Sequence, residues 1–334
     1  MKRMEALRLS SSFGTSATAI DESRYAALYP RTVIPWFEEA STIGTFRTLD
    51  GRRLSWRAVE TPNEKGALVV IPGWTEAAEA YAELFYNLKD SGYSFYILDL
   101  RGQGLSEGDY PTHDRWYVAD WRSFLSDVEL FFDRVVNGKP HSSTVLYGFS
   151  MGGAIATAYL ADHPEAAQQL ILVAPMFGIN ISPVPLFVMR WISVLLAILG
   201  LGTSYLPGHG PWAERPFEGN PDCILSRVRF EELGRLARKT SEYRAGGATA
   251  KGGIELLRLS AAGFKAAGRI HAPTLLVQAG ADKTVRNSAE DAAAARIEKC
   301  TKVVIPNCNH IVMMQPDGER NQAVNAIRAF LASG

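Results

Sequence analysis

The sequence predicts an α/β fold: a mostly parallel eight-stranded sheet with helices on both faces and one helical cap inserted into it. Three observations predict it. Short β-branched or apolar runs alternate with helically patterned stretches, the arrangement that sets a parallel sheet between helix layers. Two further strand runs flank Asp50-Gly51, a turn dipeptide typical of a β-hairpin. The alternation stops between Pro175 and Ala272 and then resumes, as expected of an insertion into one sheet rather than a separate C-terminal domain.

Residues 1–40 lack strong periodicity and read as an N-terminal leader packed on, or trailing from, the body. The first part of the core, 41–178, opens with the hairpin strands Thr42–Arg47 and Arg53–Ala58. The runs Ala67–Ile71, Phe95–Leu100, Thr144–Tyr147 and Leu170–Val173 follow. Residues 179–265 form the cap: an apolar helix from Leu186, the Gly/Pro-rich Pro207–Pro221 and a charged amphipathic piece, Arg227–Arg244. The core closes over 266–334 with the strands Thr274–Gln278 and Lys302–Ile305. There is no internal repeat and no low-complexity tract.

Composition narrows the function. The 334 residues carry 35 Lys+Arg and 35 Asp+Glu, so the positive footprint of a nucleic-acid-binding protein is missing. Cys223, Cys300 and Cys308 are too few and too irregularly spaced for a disulfide framework or a zinc site, which suits a reducing compartment. Near the N-terminus, Glu5, Arg8 and a Ser/Thr run stand where a signal peptide needs an unbroken apolar stretch. The apolar run Leu186–Leu201 is interrupted by Arg190 and falls short of the roughly 20 residues that a membrane span needs.

Gly148-Phe149-Ser150-Met151-Gly152 follows the strand Thr144–Tyr147 and precedes the small-residue stretch Gly153–Ala158. A serine nucleophile needs this setting, a tight strand-to-helix turn whose small neighbours permit strained backbone angles and expose the hydroxyl. Ser150 in turn needs an imidazole to take its proton and a carboxylate to orient that imidazole. His310 lies just past the last expected strand and Asp282 just past the one before it, in the chain order Ser…Asp…His. Asp291 and Asp317 are weaker candidates for the acid. The other five histidines, His113, His141, His163, His209 and His271, lack a strand-end position. Oxyanion donors are expected from the N–H of Met151 and, in the loop Pro72-Gly73-Trp74-Thr75-Glu76, that of Trp74.

These stretches resemble the α/β-hydrolase superfamily and, within it, the monoacylglycerol lipase and bacterial lysophospholipase group, also described as serine aminopeptidase-like hydrolases. Pro72–Glu76 with Tyr81, Asp99–Ser106, Gly148–Gly153, and Gly280–Val285 with His310 carry the resemblance. It covers the chain from about Thr42 to the end, apart from the cap. In this fold the Asp-x-Arg-Gly-x-Gly-x-Ser loop, here Asp99–Ser106, is structural and shapes the floor beside the site. Many members have His-Gly where this chain has Pro72-Gly73; the lysophospholipase branch resembles the Pro-Gly form.

The resemblance implies a serine carboxylic-ester hydrolase acting on a single-acyl-chain lipid, without metal or organic cofactor. Its rivals are hydrolysis of a small soluble ester, thioester or amide, and a non-catalytic binding protein of the same fold. The cap helix is apolar nearly all round, which suits a buried core helix, an acyl-tunnel wall or contact with a membrane. The expected partner is a lipid or ester substrate, with peripheral membrane contact through the cap. The expected location is the cytoplasm or the face of the inner membrane.

Overall fold

The computed structural model describes residues 20–180, 186–214, 216–219 and 223–333. Its one sheet has eight strands in the order β1-β2-β4-β3-β5-β6-β7-β8. They are β1 (Ser41–Arg47), β2 (Arg53–Val59), β3 (Gly66–Ile71), β4 (Tyr93–Leu98), β5 (Thr144–Phe149), β6 (Gln169–Val173), β7 (Thr274–Ala279) and β8 (Cys300–Ile305). The hairpin turns at Gly51, whose φ of 86° suits a residue without Cβ. β1 pairs antiparallel with β2 and β2 with β4, while β4, β3, β5, β6, β7 and β8 run parallel. The inner strands are buried along their whole length, as expected when both sheet faces are covered, which is why they read as continuous apolar runs.

Every strand expected from the sequence is present. The fourth is displaced: the expected Phe95–Leu100 is observed as Tyr93–Leu98, and just beyond its end the Asp99 carboxylate accepts the N–H groups of Ala78 and Leu105.

The helices are α1 (Glu22–Leu28), α2 (Ile34–Ala40), α3 (Ala82–Leu88), α4 (Arg122–Arg134), α5 (Met151–Asp162), α6 (Leu186–Ile198), α7 (Arg227–Lys239), α8 (Ala250–Ala266), α9 (Asn287–Ala294) and α10 (Asp317–Ala332). One core beneath α4, α5 and α8 joins Leu146, Leu172 and Leu276 to Phe131, Ile155 and Leu259. On the opposite face Leu68, Val70 and Val277 meet Phe85, Phe37 and Ile327.

The described part of the leader packs on the body. From Glu22 onward it is helical, and Tyr25, Tyr29, Val33 and Phe37 all turn into the second core. The spacing of four is a helical stripe; Pro30 and Pro35 break the surrounding pattern and obscure it. Residues before Ile20 lie outside the described part of the chain.

Between β6 and β7 the chain forms α6, α7 and α8. The expected boundary at 265 falls in the last turn of α8, a continuous helix whose Gly263 packs so closely on α5 that a Cβ there would lie 2.8 Å from the Ala154 backbone. No helix among the described residues is long and apolar enough to cross a membrane.

Candidate active site

Parallel strands end on one edge of the sheet, and the segments that leave that edge carry the sequence's candidates. Ser150 follows β5 directly and caps α5 with φ 49° and ψ −115°, a region that non-glycine residues occupy at a cost of about 1–3 kcal/mol. The turn is held from several sides. Ser150 N–H donates to the Val173 carbonyl at 3.0 Å, and the Ser150 carbonyl accepts the N–H groups of Gly153 and Met176. Gly152 faces the end of β3 so closely that a Cβ would lie 2.1 Å from the Ile71 carbonyl oxygen.

The loops after β7 and β8 are bound to each other. Gly280 N–H donates to the Ile305 carbonyl and Ala281 N–H to that of Cys308, and a Cβ on Gly280 would lie 2.6 Å from the Pro306 oxygen. This contact brings Asp282 beside His310. Asp282 Oδ2 is 2.7 Å from His310 Nδ1, and Asp282 Oδ1 accepts the N–H groups of Thr284 and Val285 at 2.7 and 2.9 Å. His310 Nε2 lies 2.9 Å from Ser150 Oγ, and the imidazole sits against the Phe149 ring with centroids 5.3 Å apart.

Ser150, Asp282 and His310, 160 residues apart at the extremes, therefore form one hydrogen-bonded chain. Such a chain can pass the hydroxyl proton to Nε2 while the carboxylate holds the Nδ1 tautomer and offsets the imidazolium charge. The weaker acid candidates are engaged elsewhere, Asp291 with Lys302 and Asp317 with Arg229.

Met151 is the first residue of α5, so its N–H has no partner one turn back in the helix. In the loop after β3, Gly73 N–H donates to Glu76 Oε2 and Thr75 N–H to Gln103 Oε1, at 2.7 and 2.8 Å. Sequence reasoning did not foresee the part of Gln103. Its amide N–H groups donate to the carbonyls of Gly73 and Glu76, so the loop Asp99–Ser106 grips the loop Pro72–Glu76. The available signal was its place in that structural motif.

A cavity of about 700 Å³ opens over the triad, lined by Trp74, Ser150 and His310 on the sheet side and by Trp212, Phe230 and Leu236 on the other. Among the residues whose side chains are described, α6 contributes nothing to this wall. Burial pushes the Cys300 thiol up to about 11 and that of Cys308 up to about 12, which keeps both protonated and inert at neutral pH. No group of three or more His, Cys, Asp or Glu among the described residues has the geometry of a metal site.

Comparison with known proteins agrees with the fold. Residues 62–317 match the family model Hydrolase_4, serine aminopeptidase S33. The chain is 31% identical to lysophospholipase L2 of Escherichia coli K12 over 271 residues, 79% of each chain. It is 26% identical to the monoglyceride lipase of Mus musculus, over 68% of each. Among solved structures, a soluble variant of the Saccharomyces cerevisiae monoglyceride lipase superposes with a TM-score of 0.68 at 16% identity, covering 88% of this chain and 96% of that one. A thermostable carboxyl esterase from Bacillus coagulans reaches 0.70 at 16%, covering 88% and 98%. The chain thus belongs to the Hydrolase_4 family of α/β hydrolases, in the group of the lysophospholipases and monoglyceride lipases.

Proposed function

We propose that this protein is a serine ester hydrolase that cleaves a single-acyl-chain lipid, such as a lysophospholipid or a monoacylglycerol, through an acyl-enzyme. The observation that carries this reading is the 2.9 Å contact between Ser150 Oγ and His310 Nε2 at the base of a mostly apolar cavity. Relatives named as a lysophospholipase and a monoglyceride lipase support the substrate class.

In this reading Ser150 attacks the ester carbonyl as His310 takes its proton, and Asp282 stabilises the imidazolium. The N–H groups of Met151 and Trp74 receive the oxyanion, each worth roughly 3–4 kcal/mol to the transition state. His310 then protonates the departing glycerol oxygen. A water activated by His310 releases the fatty acid. The segment between β6 and β7 acts as the cap: α7 and the stretch around Trp212 shape the acyl site, and the exposed apolar side of α6 touches a membrane surface peripherally. The protein works in the cytoplasm or at the inner-membrane face.

The test is labelling with a fluorophosphonate followed by peptide mapping, with turnover of Ser150→Ala beside the native protein. Label on Ser150 and a fall in kcat of about 10⁴-fold or more are expected. Equal background rates from both proteins would favour a binding protein, and label at another serine would overturn the assignment. An acyl-length series separates lipid from small-ester substrates. A lipid enzyme gains up to about 0.8 kcal/mol in kcat/KM for each buried CH₂, whereas a small-ester enzyme shows no such rise.

A further inference from the structure

Glu76 is a half-buried residue beside the site whose carboxyl the chemistry above leaves without a task. Its Oε2 accepts the Gly73 N–H at 2.7 Å and the Tyr81 hydroxyl at 2.5 Å, and its side chain borders the cavity with Ser150 and His310. Burial raises its pKa, while the hydrogen bonds from Tyr81 and Gly73 and the charge of His310 act against that rise. Burying a carboxyl costs free energy that an apolar side chain would not, so its partners indicate what it does.

The backbone donors of the loop give the answer. Pro72 has no N–H. Gly73 N–H is held by Glu76, Thr75 N–H by Gln103, and Glu76 N–H by the Gly73 carbonyl at 3.4 Å. Among the described residues, only the N–H of Trp74 in this loop has no acceptor. Thr75 carries a φ of 64°, a conformation that persists only where its surroundings over-determine it. Gln103 grips the loop by the carbonyls of Gly73 and Glu76 and by the Thr75 N–H, and Glu76 adds a hold on the Gly73 N–H.

Building on the reading of Ser150 as nucleophile, we propose that Glu76, braced by Tyr81, is a positioning residue. By capturing the Gly73 N–H, it holds the Pro72–Glu76 loop in the one conformation that presents the Trp74 N–H to the oxyanion. The effect belongs to the transition state, so it should appear in kcat rather than in KM.

The experiment is steady-state kinetics on a soluble short-chain ester with Glu76→Ala, Glu76→Gln, Tyr81→Phe and Ser150→Ala, each with a pH profile. Glu76→Ala is expected to lower kcat about 10- to 100-fold, short of the 10²–10³ lost with a donor itself, and to leave KM near its native value. Glu76→Gln keeps an acceptor oxygen and should recover most of that loss with the acid limb of the profile in place. Tyr81→Phe should fall severalfold. Native kcat in Glu76→Ala, a loss confined to KM, or a glutamine variant as poor as the alanine one would each overturn the proposal. Should the alanine variant fail to fold, native kcat in Tyr81→Phe does the same. Ser150→Ala separates the two readings: turnover that survives it refutes the nucleophile, whereas native-like Glu76 variants beside an inactive Ser150→Ala refute only the positioning role.

Discussion

The two walls of the cavity are built differently. The sheet side consists of strand ends and of loops pressed together so tightly that Gly152 and Gly280 have no room for a methyl group. The other side is α7 and the chain before it, where a Cβ added at the lining Gly234 would come no nearer than 3.4 Å to the tip of the Arg238 side chain. One buried cation fastens this second wall to the body. Arg229 on α7 reaches Glu83 of α3 through Nε and Nη2, at 3.1 and 3.0 Å, and Asp317 of α10 at 2.8 Å, and its guanidinium lies over the Tyr25 ring of α1. The chemistry sits on the closely packed wall, and the shape of the cavity depends on a wall fastened at a few points.

Gly152→Ala tests the first wall and should have the largest effect. The added carbon would stand 2.1 Å from the Ile71 oxygen and 2.5 Å from that of Pro72, both backbone. Relief requires the end of β3 to move away from Ser150, at about 3 kcal/mol or more of stability, and it carries the Trp74 N–H with it. Thermal unfolding and ester turnover should both collapse, whereas Gly234→Ala should lower neither. A Gly152→Ala protein with native Tm and kcat would remove the contrast.

Arg229→Met tests the second wall. Removing one partner of a buried ion pair costs about 3–5 kcal/mol, and here the lower end applies because Arg320 Nη2 still lies 3.2 Å from Glu83. Since the loss loosens α7, long-chain turnover should suffer more than that of a short soluble ester. Equal losses on both would show that α7 is not shaping the acyl site.

Behind the acid loop, Glu290 on α9 is fully buried, and neither of its oxygens has a hydrogen-bond partner among the described residues. Burial pushes its carboxyl up to about 9; the nearby Gln278 amide and the charge of Lys302 oppose the shift, and the charges of Asp282 and Asp291 add to it. Its unfolded value is near 4.3, so between these pH values the folded state holds a proton that the unfolded state has lost, and stability falls as pH rises. Glu290→Gln removes that term. Urea midpoints should show the native protein losing up to about 1.4 kcal/mol per pH unit relative to the variant across this window. Parallel curves would mean that the carboxyl is hydrated and ordinary.

The contrast between the walls also explains what the sequence disclosed. Ser150, Asp282 and His310 stand out because their chemistry admits few residue types and each follows a strand, so position and identity reinforce one another. The parallel strands stand out because burial on both faces makes them continuous apolar runs. The fastening of α7 does not stand out: Arg229, Glu83 and Asp317 are 146 and 88 residues from one another's pairing positions, and a buried arginine reads in sequence like any charged helix residue. The stripe of Tyr25, Tyr29, Val33 and Phe37 was hidden for a different reason. Two prolines interrupt its helices, and the surface that completes it, around Leu68 and Phe85, comes from later in the chain.

The smallest expected effect on the folded protein is at α6, and it bears on what an apolar run is for. Trp191, Leu195 and Ile198 are 70%, 57% and 76% exposed, with Leu199 and Leu201 beside them. Core packing therefore accounts for only part of this helix, and the cavity wall lies elsewhere. If the protein takes a lipid substrate as proposed, a patch of this kind would meet the headgroup boundary of a membrane. Changing Trp191 and Leu195 to serine removes side chains that already face water, so Tm and turnover of a soluble ester should stay within experimental error of native. Partition onto lipid vesicles should weaken by about 2 kcal/mol in all, roughly 30-fold, and lipid turnover should fall with it. A variant that binds vesicles as well as the native protein would assign the patch to another partner, and one that unfolds would return α6 to the core.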